Sequence, residues 1–149
     1  MSNKTKERSK FNVSAKTEKR TVNDILFDSE LEAKYYRDYV LPLMETGEII
    51  KYEIQPRYLL QEAFRHDGKQ YRKIEYVADF LVEYKDGQEV IVDIKGMATE
   101  TAKLKKKWFL KLYPNKKLQW INFSKIDGGW VEIDVINANR KKRKGIIPE

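Results

Sequence analysis

Residues 76–96, YVADFLVEYKDGQEVIVDIKG, restrict what this chain can fold into more than any other stretch. Two apolar, β-branched runs, 76–84 and 89–94, flank Lys85-Asp86-Gly87. Such a pattern forms a β-hairpin, because glycine accepts the positive φ that a tight reversal demands. With a three-residue loop centred on Asp86, residues whose numbers sum to 172 face each other. Asp79 then stands opposite Asp93. Lys95 shares the face of Asp93, one pleat further on.

Two carboxylates directly across a ladder repel, and burying either one unpaired costs several kcal/mol. A purely structural hairpin gains nothing from this. A divalent cation reverses the sign, since Mg²⁺ takes a few hard carboxylate oxygens and keeps waters in its other positions. Lys95 would stand beside it, able to orient an attacking water or to stabilise developing negative charge. The chemistry this implies is metal-dependent hydrolysis of phosphodiesters. A surface hairpin whose acids pair with nearby lysines would carry the same residues, so the flanking chain has to decide.

The 149 residues suffice for one core. The absence of cysteine excludes thiolate zinc sites and disulfides, and the single histidine, His66, excludes two-histidine nuclease motifs. His66 reads as a loop residue. No apolar run approaches the length of a membrane span, and the basic N-terminus lacks the apolar stretch of a secretory signal. A cytoplasmic protein is the expectation.

The net charge of +7 is unevenly placed. Residues 1–20 carry seven basic side chains against two acidic ones, and the tail from 138 carries five against one. What remains between them is slightly acidic. The two ends therefore read as flexible basic arms suited to polyanions, with 1–20 disordered, 21–137 as the folded domain and 138–149 as a basic tail.

Within the domain, Ile25, Leu26 and Phe27 anchor the entry. Ser29 and Glu32 have capping-box spacing, opening a helix with Leu31, Tyr35, Tyr39, Val40 and Leu43 on its apolar face. Pro42 should kink or shorten its last turns, and Gly47 ends it. Glu32 has two compatible readings, as a cap and as a further acid of the hairpin site. Strands are expected over 48–55 and 58–64, with 65–70 a polar connection. After the hairpin, a helix over 100–113 presents Leu104, Trp108, Phe109 and Leu112 inward and Lys103, Lys106, Lys107 and Lys111 on or beside the other side. That lysine surface, with Arg140, Lys141, Lys142 and Arg143, would bind a DNA backbone. Strands over 118–123 and 130–135 complete an α/β (α+β) order αβββ(β)αβ, a mixed sheet with flanking helices.

Taken together, these residues resemble the PD-(D/E)xK nuclease superfamily. More narrowly, they resemble small phage and prophage proteins described as endodeoxyribonucleases or Holliday-junction-resolvase-like. The resemblance is carried by Phe27-Asp28-Ser29 with Glu32-Ala33, by Gly47-Glu48-Ile49 leading to Gln55-Pro56, and by Tyr76-Val77-Ala78-Asp79-Phe80. It continues in Val92-Asp93-Ile94-Lys95-Gly96 and in Thr101, Leu104-Lys105 and Lys107-Trp108-Phe109. It departs in having Ala78 in place of a proline and Asp93 where glutamate is commoner.

The resemblance implies a restriction-endonuclease-like core with Asp79 and Asp93 as metal-binding carboxylates. The backbone carbonyl of Ile94 is a further ligand, Lys95 the catalytic lysine and Glu32 a first-helix acid of the site. Gln55 would lie near them. The implied protein is a Mg²⁺- or Mn²⁺-dependent DNA endonuclease, phage or prophage encoded, acting on branched DNA in recombination. Symmetric cleavage of two strands would call for a homodimer. The rival readings are a non-catalytic phage nucleic-acid-binding protein with a vestigial nuclease fold and, more weakly, an RNA-directed nuclease.

Overall fold

The computed structural model describes residues 17–145. The chain packs as two compact units, one ending at Glu48 and the other beginning at Ile49. Most of the expected N-terminal arm lies outside the described residues.

In the first unit a 3-10 turn, Thr17–Arg20, leads into the short antiparallel pair β1 (Thr21–Val22) and β2 (Ile25–Leu26). Asn23 and Asp24, both at positive φ (50° and 62°), make the reversal, and their short polar side chains tolerate that region. The helix that follows is α1 (Glu30–Tyr35), a π turn (Tyr36–Val40) and α2 (Leu41–Thr46). Ser29 caps its start, and Gly47 at φ 81° ends it. The expected effect of Pro42 is visible just upstream of it. Proline cannot donate to the carbonyl four residues back and its ring crowds that carbonyl, so the helix widens by one residue first. Leu41 accordingly donates to the Tyr36 carbonyl. The widened turn shifts the buried stripe to Ala33, Tyr35, Tyr36 and Val40, leaving Leu31, Tyr39 and Leu43 only half-buried.

The second unit contains β3 (Ile49–Ile54), β4 (Arg57–Gln61), β5 (Phe64–His66), β6 (Lys69–Tyr71), β7 (Ile74–Val77), β8 (Phe80–Tyr84) and β9 (Glu89–Ile94). Then come α3 (Glu100–Leu112), β10 (Lys117–Ser124), β11 (Gly129–Glu132) and α4 (Ile133–Arg143). The main sheet is mixed, with order β11-β10-β9-β8-β3. Only β9 and β10, joined through α3, run parallel within it, as a crossover connection requires. β4 and β7 form a second, two-stranded sheet, and β5 and β6 a small hairpin. The α+β class with a mixed sheet and flanking helices is as expected from the sequence.

The central hairpin has the anticipated register. Phe80 faces Val92, and Glu83 faces Glu89. The first of its two runs is divided, however. Residues 76–84 are not one strand: Tyr76 and Val77 belong to β7, and the chain leaves that sheet at Ala78-Asp79 to enter β8. The run 58–64 is divided likewise, between β4 and β5, and the polar connection 65–70 is the hairpin β5–β6. Asp67-Gly68, both at positive φ, make its turn, and His66 is the exposed last residue of β5 rather than a loop residue.

α3 is capped by Thr99, whose Oγ1 accepts from the Ala102 N–H, and it packs by Phe109. The Phe109 ring meets Tyr58, Tyr76 and Tyr113, and Leu60, Ala78 and Ile91 complete that core. Tyr113 Oη donates to the Leu59 carbonyl at 2.7 Å, fixing the end of the helix to β4. This aromatic cluster sets the rotation of α3 and leaves the expected inward residues Leu104 and Leu112 62% and 46% exposed. At the C-terminus, β11 ends at Glu132 rather than running to 135. The basic run expected as a flexible tail instead continues α4 as far as Arg143.

Candidate active site

β9 is the central strand of the sheet, and its residues from Val90 to Ile94 are all buried. Side chains alternate, so Ile91, Asp93 and Lys95 share one face. On that face Ile91 joins the Phe109 core, which places Asp93 inside the protein at 3% exposure. A buried carboxylate needs partners, and Asp93 has two. Lys95 Nζ lies 3.1 Å from Oδ1, and the Tyr76 hydroxyl donates to Oδ2 at 2.7 Å. Trp120, the neighbour of Asp93 on the parallel strand β10, donates from Nε1 to the same Tyr76 oxygen at 2.8 Å. Burial first, then the charge of Asp93, push the Tyr76 phenol above its ordinary range, so it remains a donor.

Asp79 sits at the break between β7 and β8. Its N–H donates to the Val92 carbonyl, and its Oδ2 accepts from the Ile94 N–H at 2.7 Å. It therefore caps the ladder at the position where the register puts it opposite Asp93, with its side chain turned onto β9. Gln55 is beside it: the Gln55 N–H donates to the Asp79 carbonyl at 2.9 Å, from a backbone at φ 53°. Lys95 donates its N–H to the Ile121 carbonyl on β10. Directions alternate along a strand, so Ile94 has its N–H and C=O on the opposite edge, the side of Asp79.

Asp79, Asp93, Ile94, Lys95 and Gln55 thus come together as the sequence suggested. Glu32 belongs to the first unit. There its N–H donates to Ser29 Oγ and its Oε1 accepts from the Ser29 hydroxyl, both at 3.1 Å, which is the capping role. Among the described residues no group of three or more His, Cys, Asp or Glu side chains could hold a metal ion. Two aspartates and a carbonyl nevertheless fit a hard cation that fills its remaining positions with water and phosphate oxygens.

Two residues of this site, Tyr76 and Trp120, were not anticipated. Tyr76 reaches Asp93 from β7 and Trp120 reaches Tyr76 from β10; beside them comes Lys106, expected from the sequence on the lysine face of α3. Its Nζ lies over the Trp120 ring at 4.5 Å, with Lys95 Nζ at 5.3 Å from the same ring. Cations over an indole face are stabilised by its quadrupole. A cavity of about 600 Å³ adjoins them, lined by Lys103, Lys106, Lys107 and Trp120 and also by the acids Glu132 and Asp134.

Of the expected backbone-binding residues, Lys103, Lys107 and Lys111 are exposed on α3, and Arg140, Lys141 and Lys142 on α4. Arg143 is engaged elsewhere, with Nη1 2.9 Å from Asp127 Oδ1. The same carboxylate accepts from Ser124 and Asn139, and these hydrogen bonds hold Asp127 down to about 2.

The family model described as "Protein of unknown function (DUF1064)" matches residues 8–126. The chain belongs to the DUF1064 family. No curated protein matches it. The DUF1064 match spans Asp79, Asp93, Lys95 and Trp120 and ends before α4. No described helix is long and apolar enough to cross a membrane.

Proposed function

We propose that this DUF1064 protein is a metal-dependent DNA endonuclease of the PD-(D/E)xK kind. The observation that carries the reading is a buried Asp93 with the Lys95 ammonium 3.1 Å away, beside an Asp79 fixed on the Ile94 N–H. A fold does not gain stability by burying an aspartate where a well-packed apolar residue would serve.

Asp79, Asp93 and the Ile94 carbonyl would hold Mg²⁺ or Mn²⁺, which supplies Lewis-acid polarisation of a phosphodiester. Tyr76 and Trp120 keep Asp93 in one orientation, since the carboxylate oxygen bound to Tyr76 cannot swing away without orphaning the Tyr76 hydroxyl, which Trp120 holds in place. Lys95 directs its ammonium across the same carboxylate, where it orients an attacking water and stabilises charge as the phosphorus becomes five-coordinate. Lys106, Lys103 and Lys107 extend positive charge from the site along α3. Binding to the DNA backbone there should weaken steeply as salt rises. Branched DNA of the Holliday-junction type, a homodimer and a role in phage DNA recombination belong to this reading through the sequence resemblance.

The test is cleavage of labelled four-way junction, flap, duplex and single-stranded DNA in Mg²⁺, Mn²⁺ or EDTA. Wild type should cut at least one substrate only with metal, while Lys95→Ala and Asp93→Asn bind without cutting. Tight binding by wild type with no cleavage in either metal would sink the nuclease reading in favour of a binding protein. Cleavage of matched RNA in preference to DNA would redirect it to RNA.

A further inference from the structure

The β5–β6 hairpin contributes nothing to the core. All six of its strand residues are exposed. Isolated two-stranded hairpins are marginal in water, yet this one displays two large rings. Phe64 and Tyr71 are cross-strand partners, stacked at 4.9 Å with planes 6° apart, and remain 43% and 39% exposed. Directly opposed residues share a face, so Lys69 and His66 lie on the aromatic side, and Lys69 Nζ sits 5.3 Å from the Tyr71 ring centre. Arg65 stands on the other face, and Arg72 follows Tyr71. Asp67, at the turn, is the one acid from 65 to 73, and it is paired with His66 at 3.4 Å.

Exposed aromatic faces interleaved with cations suit one ligand chemistry above others: stacked bases on a phosphate backbone. An acidic peptide would use the cations and leave the rings idle. A duplex hides its base faces, whereas an unpaired stretch offers them. The hairpin stands at the end of β4–β7 opposite the Gln55–Asp79 contact, since β4 runs away from Gln55 and β7 returns to Asp79. Twelve residues separate Gln55 from Asp67, a reach of at most about 40 Å. That is close to one turn of duplex DNA, roughly 34–36 Å.

We propose that the β5–β6 hairpin is a docking ribbon for an unpaired stretch of DNA. Bases stack on Phe64 and Tyr71, phosphates beside them meet Lys69 on the same face, and where the strand passes round the ribbon its phosphates meet Arg65 and Arg72 on the other. The proposal deepens the nuclease reading and rests on it for the substrate: DNA carrying an unpaired segment within about a helical turn of the cleaved bond.

Fluorescence anisotropy in EDTA, with a labelled oligothymidylate and a blunt duplex of equal length, tests the docking without cleavage. Phe64→Leu/Tyr71→Leu should weaken oligothymidylate binding about ten-fold or more and leave duplex binding unchanged. Tyr71→Trp should bind as wild type does. Arg65→Glu, on an exposed position, should weaken binding without touching the ring pair, so the test survives if the double variant fails to fold. Oligothymidylate binding by Phe64→Leu/Tyr71→Leu and Arg65→Glu equal to wild type would overturn the ribbon, as would equal losses on both ligands. DNA cleavage by wild type alongside unaffected hairpin variants would remove the ribbon and keep the nuclease. Hairpin-dependent binding without cleavage of any substrate would keep the ribbon and remove the nuclease.

Discussion

Tyr76→Phe is the perturbation that most directly interrogates the buried chain Trp120–Tyr76–Asp93. The hydroxyl accepts from Trp120 Nε1 at 2.8 Å and donates to Asp93 Oδ2 at 2.7 Å. Removing it deletes a bond to a charged group, worth roughly 1.5–3 kcal/mol, and strands the Trp120 N–H, which costs roughly 1–3 kcal/mol more. The ring, and its contact with Phe109 at 5.2 Å, is retained. The loss is therefore about 4 kcal/mol. For a chain of this size that is a fall in melting temperature of roughly 10 °C. Thermal melts at neutral pH read it directly. A cycle with Trp120→Phe sharpens the reading, because without the indole N–H there is no donor left to strand. Tyr76→Phe should then cost roughly 1–3 kcal/mol less in the Trp120→Phe background than in wild type. Additive losses, or a Tyr76→Phe protein that melts with wild type, would refute the linked network.

Further consequences follow from other contacts. Asp127 ionises well below the ordinary aspartate value of roughly 3.9 because Ser124, Asn139 and Arg143 donate to it. Its folded pKa of about 2 is depressed, so the stability it adds is fully present above the ordinary value and is lost as pH falls towards 2. Asp127→Asn should flatten the acid limb of a melting-temperature–pH profile and loosen α4, seen as faster amide exchange there. Ser29→Ala should cost about 1 kcal/mol through loss of the cap and lower the melting temperature by a few degrees. Glu32→Gln keeps an oxygen that can accept from the Ser29 hydroxyl and should leave the proposed cleavage intact in the labelled-DNA assay; a loss of cleavage with retained stability would assign Glu32 to chemistry.

What the sequence revealed and what it concealed divide along local and distant contacts. The register of β8 and β9 was readable because Asp86-Gly87 and the alternation on either side determine it within a few residues. The cap at Ser29 and the left-handed Gly47 were readable for the same reason. A second Asp-Gly reversal, Asp67-Gly68, passed as loop because Phe64-Arg65-His66 and Lys69-Gln70-Tyr71 lack an apolar alternation to announce strands. Tyr76 looked like part of the hairpin, and only its pairing with β4 shows that it belongs to another sheet and points at Asp93. Trp120 lies 27 residues beyond Asp93, and nothing local says that β10 will lie parallel to β9 in that register. The rotation of α3 depended on an aromatic cluster drawn from β4, β7 and the end of the helix itself. The helical state of residues 140–143 depended on Asp127 and on the burial of Ile136, both tertiary facts.

The hairpin register also orders events in time. Partners in β8–β9 are as few as six residues apart, as with Glu83 and Glu89, whereas Val90 and Lys117 of the parallel pair are 27 apart. Closing the longer loop costs about 1.3 kcal/mol more in chain entropy, so the hairpin is the first of these pairings a nascent chain can form. The two aspartates therefore meet while still bathed in water, where like charges repel only weakly. Their repulsion would grow once the sheet and α3 close over them. Lys95, two residues along the same strand, enters with Asp93 and needs no distant element to deliver it. The ammonium that ends 3.1 Å from Asp93 is thus also the escort that lets a buried acid survive the folding of its own strand.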